Sequence, residues 1–226
     1  MGEDPPHIAT AIALDPVQVR VLGALVEKQH TTPEYYPLTL NALVAACNQK
    51  SNRNPVVQYD EKTVTQALQG LRDRGLARTV SGADMRVPKH YHLLAGKLEL
   101  TPPQTAVLCV LMLRGAQTAG EIRGRTGRLY TFADLNEAQR TLDELTNRQT
   151  GPLVVLLPRV PGQKEQRYTH TFTPPPEVDS ESPETAITIS PPDDDRVTGL
   201  EKEMEAVRAE LYSLREQFDR FRQQFE

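Results

Sequence analysis

The sequence predicts a mainly α chain with small β-hairpins, an α+β protein built from two similar domains in tandem. Three observations carry that expectation. A thirteen-residue stretch is written twice, each copy is followed by the same order of patterns, and an acidic proline-rich segment then precedes a C-terminal heptad pattern. Residues 14–26 (LDPVQVRVLGALV) recur 86 positions later as residues 100–112 (LTPPQTAVLCVLM), with Leu14/Leu100, Pro16/Pro102, Gln18/Gln104, Val21/Val107, Leu22/Leu108 and Leu25/Leu111 identical. Each copy places Asp or Thr at a helix N-cap, Pro at the first helical position and apolar residues at helical spacing.

After the first copy, Thr31-Thr32-Pro33 and Tyr36-Pro37 break the helix, because proline disfavours helical backbone in the residue before it. Residues 38–49 read as a second helix with Leu40, Leu43, Val44 and Cys47 on one face, and residues 48–57 (NQKSNRNPVV) as a loop of turn formers. A third helix is expected over 61–74, where Val64, Ala67, Leu68 and Leu71 have the i, i+3, i+4, i+7 spacing of a buried stripe, and Gly75 suits its C′ position. Strand-like runs at 76–80 and 87–94 complete the unit. The second copy repeats the order: helices at 102–114, 118–127 and 133–148, the last with Leu135, Ala138, Leu142 and Leu145 inward, then strands at 153–157 and 167–172 turning near Pro161-Gly162. Three helices followed by a hairpin within about 80 residues is the pattern of a winged helix, a helix-turn-helix variant. The domains expected are 14–96 and 97–173, after a disordered N-terminus at 1–13.

Residues 174–196 contain six prolines and seven acidic residues and few apolar ones, which predicts an extended, disordered linker. In the last segment Val197, Met204, Leu211, Phe218 and Phe225 are seven apart, with Leu200, Val207, Leu214 and Phe221 between them. The alternating spacing of 3 and 4 is the period of a coiled coil, and in a parallel dimer Glu203 and Glu210 meet Arg208 and Arg215. An amphipathic helix folding back on its own domains is the alternative. It would more often show a wider apolar stripe than this strict seam. Self-association is therefore favoured, as a parallel dimer, with a trimer left open.

Charge is unevenly placed. Residues 15–95 and 97–173 each hold ten Lys/Arg against seven Asp/Glu, while residues 174–226 hold six against fourteen, so two mildly basic units precede an acidic tail. The longest apolar run, residues 106–113, is far short of the roughly 20 needed to span a bilayer, and no signal peptide is visible. Cys47 and Cys109 each lie in an apolar helical pattern and read as reduced, packed thiols. The expectation is a cytoplasmic protein with no membrane segment.

Several residue runs resemble the bacterial YceH-like family: Glu27-Lys28-Gln29, Thr32-Pro33-Glu34, Tyr36-Pro37-Leu38, Asn41 and the run from Ala46 through Cys47-Asn48-Gln49-Lys50-Ser51-Asn52 to Arg53. The runs from Arg78 to Gly82 and from Leu113 to Thr118, Gly151-Pro152 and Arg167-Tyr168 extend the match over about residues 15–173. The resemblance implies two winged-helix domains in the bacterial cytoplasm and no particular activity.

Nothing in the sequence points to catalysis: it has no phosphate-binding Gly-rich loop, nucleophile elbow, HExxH or CxxC pair. His90 and His92 share a strand face without a third ligand, so no metal or cofactor is expected and sheet packing or solvent exposure accounts for them. Double-stranded DNA is the favoured partner. In a helix-turn-helix the third helix meets base edges and the wing grips phosphate. The outward positions of the first domain's third helix are Lys62, Thr65, Gln66, Gln69 and Arg72, with no acid among them; Lys50 and Arg53 lie in the loop before it, and Arg78, Arg86 and Lys89 in or beside the wing. The second domain's third helix presents Asn136, Glu137, Arg140, Asp143 and Glu144, which would repel phosphate and leave it Arg123, Arg125 and Arg128. The alternative, favoured by that acidic helix and the modest basic charge, is a non-enzymatic scaffold binding a protein partner through the second domain. Residues 48–55 then serve as a presented polar loop or as ordinary turn chemistry.

Overall fold

Five of the seven α-helices among the described residues start at a residue whose side chain accepts from a free N–H of the first turn. The computed structural model describes residues 12–82, 86–159 and 165–173. Helix α1 (Pro16–Thr31) begins at Asp15, whose carboxylate accepts from the Gln18 N–H at 2.8 Å while the Gln18 side-chain Oε1 accepts from the Asp15 N–H at 3.2 Å. A 3-10 turn (Pro33–Tyr35) leads to strand β1 (Leu38–Thr39), helix α2 (Leu40–Cys47), helix α3 (Glu61–Asp73), strands β2 (Ala77–Val80) and β3 (Lys89–His92), and a short helix α4 (Leu94–Lys97). The order then recurs as α5 (Pro102–Arg114), α6 (Ala119–Arg125), α7 (Leu135–Thr146), β4 (Val154–Leu156) and β5 (Tyr168–His170). Helix α5 keeps the Gln18 device: Gln104 Oε1 accepts from the Thr101 N–H at 3.1 Å. The chain is thus α+β, with seven α-helices and small antiparallel sheets among the described residues.

The second helix is shorter than its apolar pattern suggests. Leu38 and Thr39 are extended and pair with His90 and Lys89, so the first sheet has three strands in the order β1-β3-β2. Thr39 then caps α2, accepting from the Ala42 N–H at 3.3 Å. In the second repeat the equivalent of β1 has shrunk to one bridge, Gln117 with Tyr168, immediately before the Thr118 cap of α6. The strand expected to reach Leu94 stops at His92, because Leu94–Lys97 wind into α4. Leu135 is 48% exposed rather than inward: as the first residue of α7 it precedes the packed stripe of Ala138, Leu142 and Leu145. The expected turn at Pro161-Gly162, the N-terminus at 1–11, the linker at 174–196 and the heptads at 197–226 lie outside the described residues.

Helices α1 and α5 form the centre. Residues from Gln18 to Val26 and from Gln104 to Leu113 are buried without interruption, which only a helix packed on several sides can be. They meet at the repeat-equivalent positions Gly23 and Cys109, where the Cys109 Sγ lies 3.6 Å from the Gly23 carbonyl oxygen. A Cβ on Gly23 would stand 2.9 Å from Leu113 Cδ2 and 3.1 Å from Met112 Cβ, so the crossing needs glycine. One continuous apolar cluster spans both repeats. The Leu14 N–H, before α1, donates to the Phe172 carbonyl at 2.7 Å and ties the two ends of the described chain together.

Candidate nucleic-acid interface

The first repeat displays a polar helix beside a small sheet. The stripe of Val64, Ala67, Leu68 and Leu71 buries one side of α3, so Lys62, Thr65, Gln66, Gln69 and Arg72 face solvent. The carboxylates of α3 stand at its two ends, Glu61 and Asp73, and Asp73 is held by Gln69 Nε2 at 2.6 Å. Arg72 joins the helix to the sheet: its guanidinium donates to Thr79 Oγ1 at 3.0 Å and to Gln69 Oε1. Thr79 Oγ1 in turn lies 3.0 Å from His90 Nδ1. Burial, and then Arg72, keep the His90 imidazole below its ordinary pKa, so this network carries Arg72 as its positive charge. Arg78 and Arg86 are exposed, and Lys89 is half-buried. The structure therefore gathers Gln69, Arg72 and the strand bearing Arg78.

The loop after α2 goes elsewhere. Arg53 is 6% exposed and corrects the expectation that it meets phosphate. Its Nη1 and Nη2 donate to the two carboxylate oxygens of Glu27 at 3.0 and 2.6 Å, its Nε and Nη2 to the Ala46 carbonyl at 3.1 and 2.8 Å, and Nη2 also to Gln49 Oε1. With its fork filled, it organises the loop from inside. Arg20 works alongside, donating to the Cys47 and Pro55 carbonyls at 3.2 and 2.6 Å, and Asn48 bonds both backbone groups of Tyr59 at 2.8 Å. The loop is also fixed to α5, with the Asn54 N–H on the Leu113 carbonyl at 2.9 Å and Arg114 Nη2 on Asn52 Oδ1. Lys50 is exposed on this loop, whose neighbours Gln49, Ser51 and Asn52 line a cleft between the repeats. Sequence reasoning missed this polar framework. Its signal was Arg20, an arginine on the buried stretch of α1 where the second copy has Ala106.

The matching helix of the second repeat is different in kind. Glu137 of α7 accepts from the Tyr130 hydroxyl and the Ala133 N–H, both at 2.7 Å, and these bonds hold its carboxyl below the ordinary range. Asp143 takes Gln139 Nε2 at 2.9 Å and Glu144 takes Gln104 Nε2 at 2.9 Å. Asn136 and Arg140 remain exposed.

Burial pushes the Cys47 thiol up to about 12 and the Cys109 thiol up as well, so both are packed rather than reactive. Among the described residues no three His, Cys, Asp or Glu side chains group to hold a metal, and no helix is long and apolar enough to cross a membrane.

Fold and surface together define an α+β protein of two fused repeats, the first of which exposes a helix face of five hydrogen-bonding side chains with no acid among them. The chain belongs to the family described as "Protein of unknown function, DUF480", whose model matches residues 14–163. It is 54% identical over 195 residues to a UPF0502 protein of Opitutus terrae, covering 86% of this chain and 83% of that one. Two further UPF0502 proteins, of Solibacter usitatus and Geotalea uraniireducens, are 47% and 48% identical, each aligned over 94% of this chain and 98% of its own. The bacterial family expected from the residue runs is thereby shown.

Proposed function

We propose that the chain is a non-enzymatic DNA-binding protein of the bacterial cytoplasm, made of two tandem winged-helix domains, the first of which reads duplex DNA in the manner of a transcriptional regulator. The observation that supports this most is the solvent face of α3: five exposed hydrogen-bonding side chains, Lys62, Thr65, Gln66, Gln69 and Arg72, with no acid among them. In the major groove such residues meet base edges, Gln preferring adenine and Arg guanine. Arg78, Arg86 and Lys89 then serve as phosphate contacts on the wing, and Lys50 as one on the loop. Arg53 has no part in it. Fluorescence anisotropy with labelled duplexes tests the reading: Lys62→Ala, Gln66→Ala and Arg72→Ala each weaken binding. A wild-type chain with no affinity for any duplex contradicts it.

The second reading is a partner protein held by the second repeat, favoured by the carboxylates of α7, which suit DNA poorly. It predicts a partner retained in pull-downs from the α3 variants and lost on Asn136→Ala or Arg140→Ala. We also propose that residues 197–226 self-associate as a parallel coiled coil through the heptad positions from Val197 to Phe225. Deleting them then gives a monomer by light scattering, and an unchanged mass contradicts the proposal.

A further inference from the structure

The cleft between the repeats collects more positive charge than its surroundings neutralise. It encloses about 390 Å³, within the size range of small-molecule sites, over a floor that includes Cys109, Val110 and Leu113. Four cations line it from different elements: Lys28 of α1, Arg114 at the end of α5, Arg125 at the end of α6 and Arg128 just beyond. The one carboxylate in the lining, Glu27, is already closed in its two-pronged pair with Arg53, and Lys28 reaches it only at 3.9 Å. Arg125 approaches Glu121 at 3.5 Å, but that carboxylate is held by Arg167 at 2.9 Å. Arg128 makes no salt bridge among the described residues. Burial, and then the neighbouring Arg125, lower the Arg114 pKa. Asn52 holds the Arg114 guanidinium in place across the cleft.

We propose that this cleft binds a small molecule through a diphosphate group, gripped by Arg114, Arg125 and Arg128 with Lys28 adding charge. Guanidinium forks match phosphate oxygens in pairs, and a ligand anion would relieve the mutual repulsion of the arginines. The inference does not rest on DNA reading by α3: the cleft is built from α1, α5, α6 and the loop, and a chain that never touched DNA would keep it.

Isothermal titration of the full chain with inorganic pyrophosphate and, separately, with ADP tests it. One ligand per chain is expected, with affinity falling at least tenfold for Arg125→Gln and for Arg128→Gln. Both residues are exposed, so these variants are expected to melt at the wild-type temperature. Arg72→Ala should bind as the wild type does. Equal binding of the two probes assigns the free diphosphate as the source, and tighter ADP binding assigns a nucleoside diphosphate seated on the apolar floor. Absence of saturable binding, affinity unchanged in both Gln variants, or displacement of pyrophosphate by a short DNA duplex would each overturn the proposal.

Discussion

The two repeats share a skeleton and differ in what they do with polar side chains. Ala77 pairs with His92 in one hairpin and Val154 with His170 in the other; Thr39 and Thr118 cap equivalent helices; Gln18 and Gln104 close the same box on the central helices. On the third helices the likeness ends. The first repeat leaves Lys62, Thr65 and Gln66 free of carboxylate partners on the surface of α3, whereas the second spends its carboxylates on Tyr130, Ala133, Gln139 and Gln104 around α7. The apolar positions recur because both repeats fill one common core. The polar positions differ, and substitutions at a surface cost little stability.

The largest effect is expected at Arg53, whose buried pair with Glu27 fixes the loop after α2 to α1. Removing it strands Glu27 and three further acceptors, the Ala46 and Asn52 carbonyls and Gln49 Oε1, so Arg53→Ala should cost about 3–5 kcal/mol in urea unfolding. Exposed Arg78→Ala should stay within about 0.5 kcal/mol. Equal costs would mean that Arg53 is a surface charge after all.

Next in size is a feature both repeats keep. Burial holds His92 and His170 down to about 4, below the ordinary imidazole value. Between that value and about 6.5 the unfolded chain takes up protons that the folded chain refuses. The stability due to each neutral histidine is therefore full above pH 6.5 and is lost as pH falls towards 4, by up to about 3 kcal/mol per residue. Unfolding midpoints between pH 7 and 4.5 should show this decline, and it should shrink in His92→Gln and again in the double variant with His170→Gln. A flat profile would show that the rings are solvated.

Smaller again is the crossing itself. Gly23→Val drives two methyl groups into Leu113 and Met112 and should cost about 1–3 kcal/mol by thermal melting. A neutral result would mean that α1 and α5 are not in close contact at Gly23.

Much of the skeleton was legible in the sequence because it is carried by period and punctuation: the repeated stretch, the stripe of α3, Gly75 at a positive φ of 64° after it. The missed elements are those that such signals do not encode. Strand β1 consists of two residues, the second of them the threonine that caps α2, and the apolar pattern runs straight through it into α2. Leu135 has the right phase but lies beyond the end of its neighbours. On the candidate site, the outward face of α3 followed from the stripe opposite it. The fate of Arg53 did not, since its acceptors lie 26 residues away at Glu27 and 7 away at Ala46, and only the folded chain brings them together.

In the function proposed above, the first repeat, and not the second, meets DNA. The most direct test is the salt dependence of duplex affinity, measured by anisotropy for the wild type, Arg78→Ala on the first repeat and Arg140→Ala on the second. Each phosphate contact contributes roughly 0.9 to the slope of log affinity against log salt. Steep dependence is expected in the wild type, a slope shallower by about one contact in Arg78→Ala and an unchanged slope in Arg140→Ala. Salt-insensitive binding, or a slope that falls only in Arg140→Ala, would contradict it.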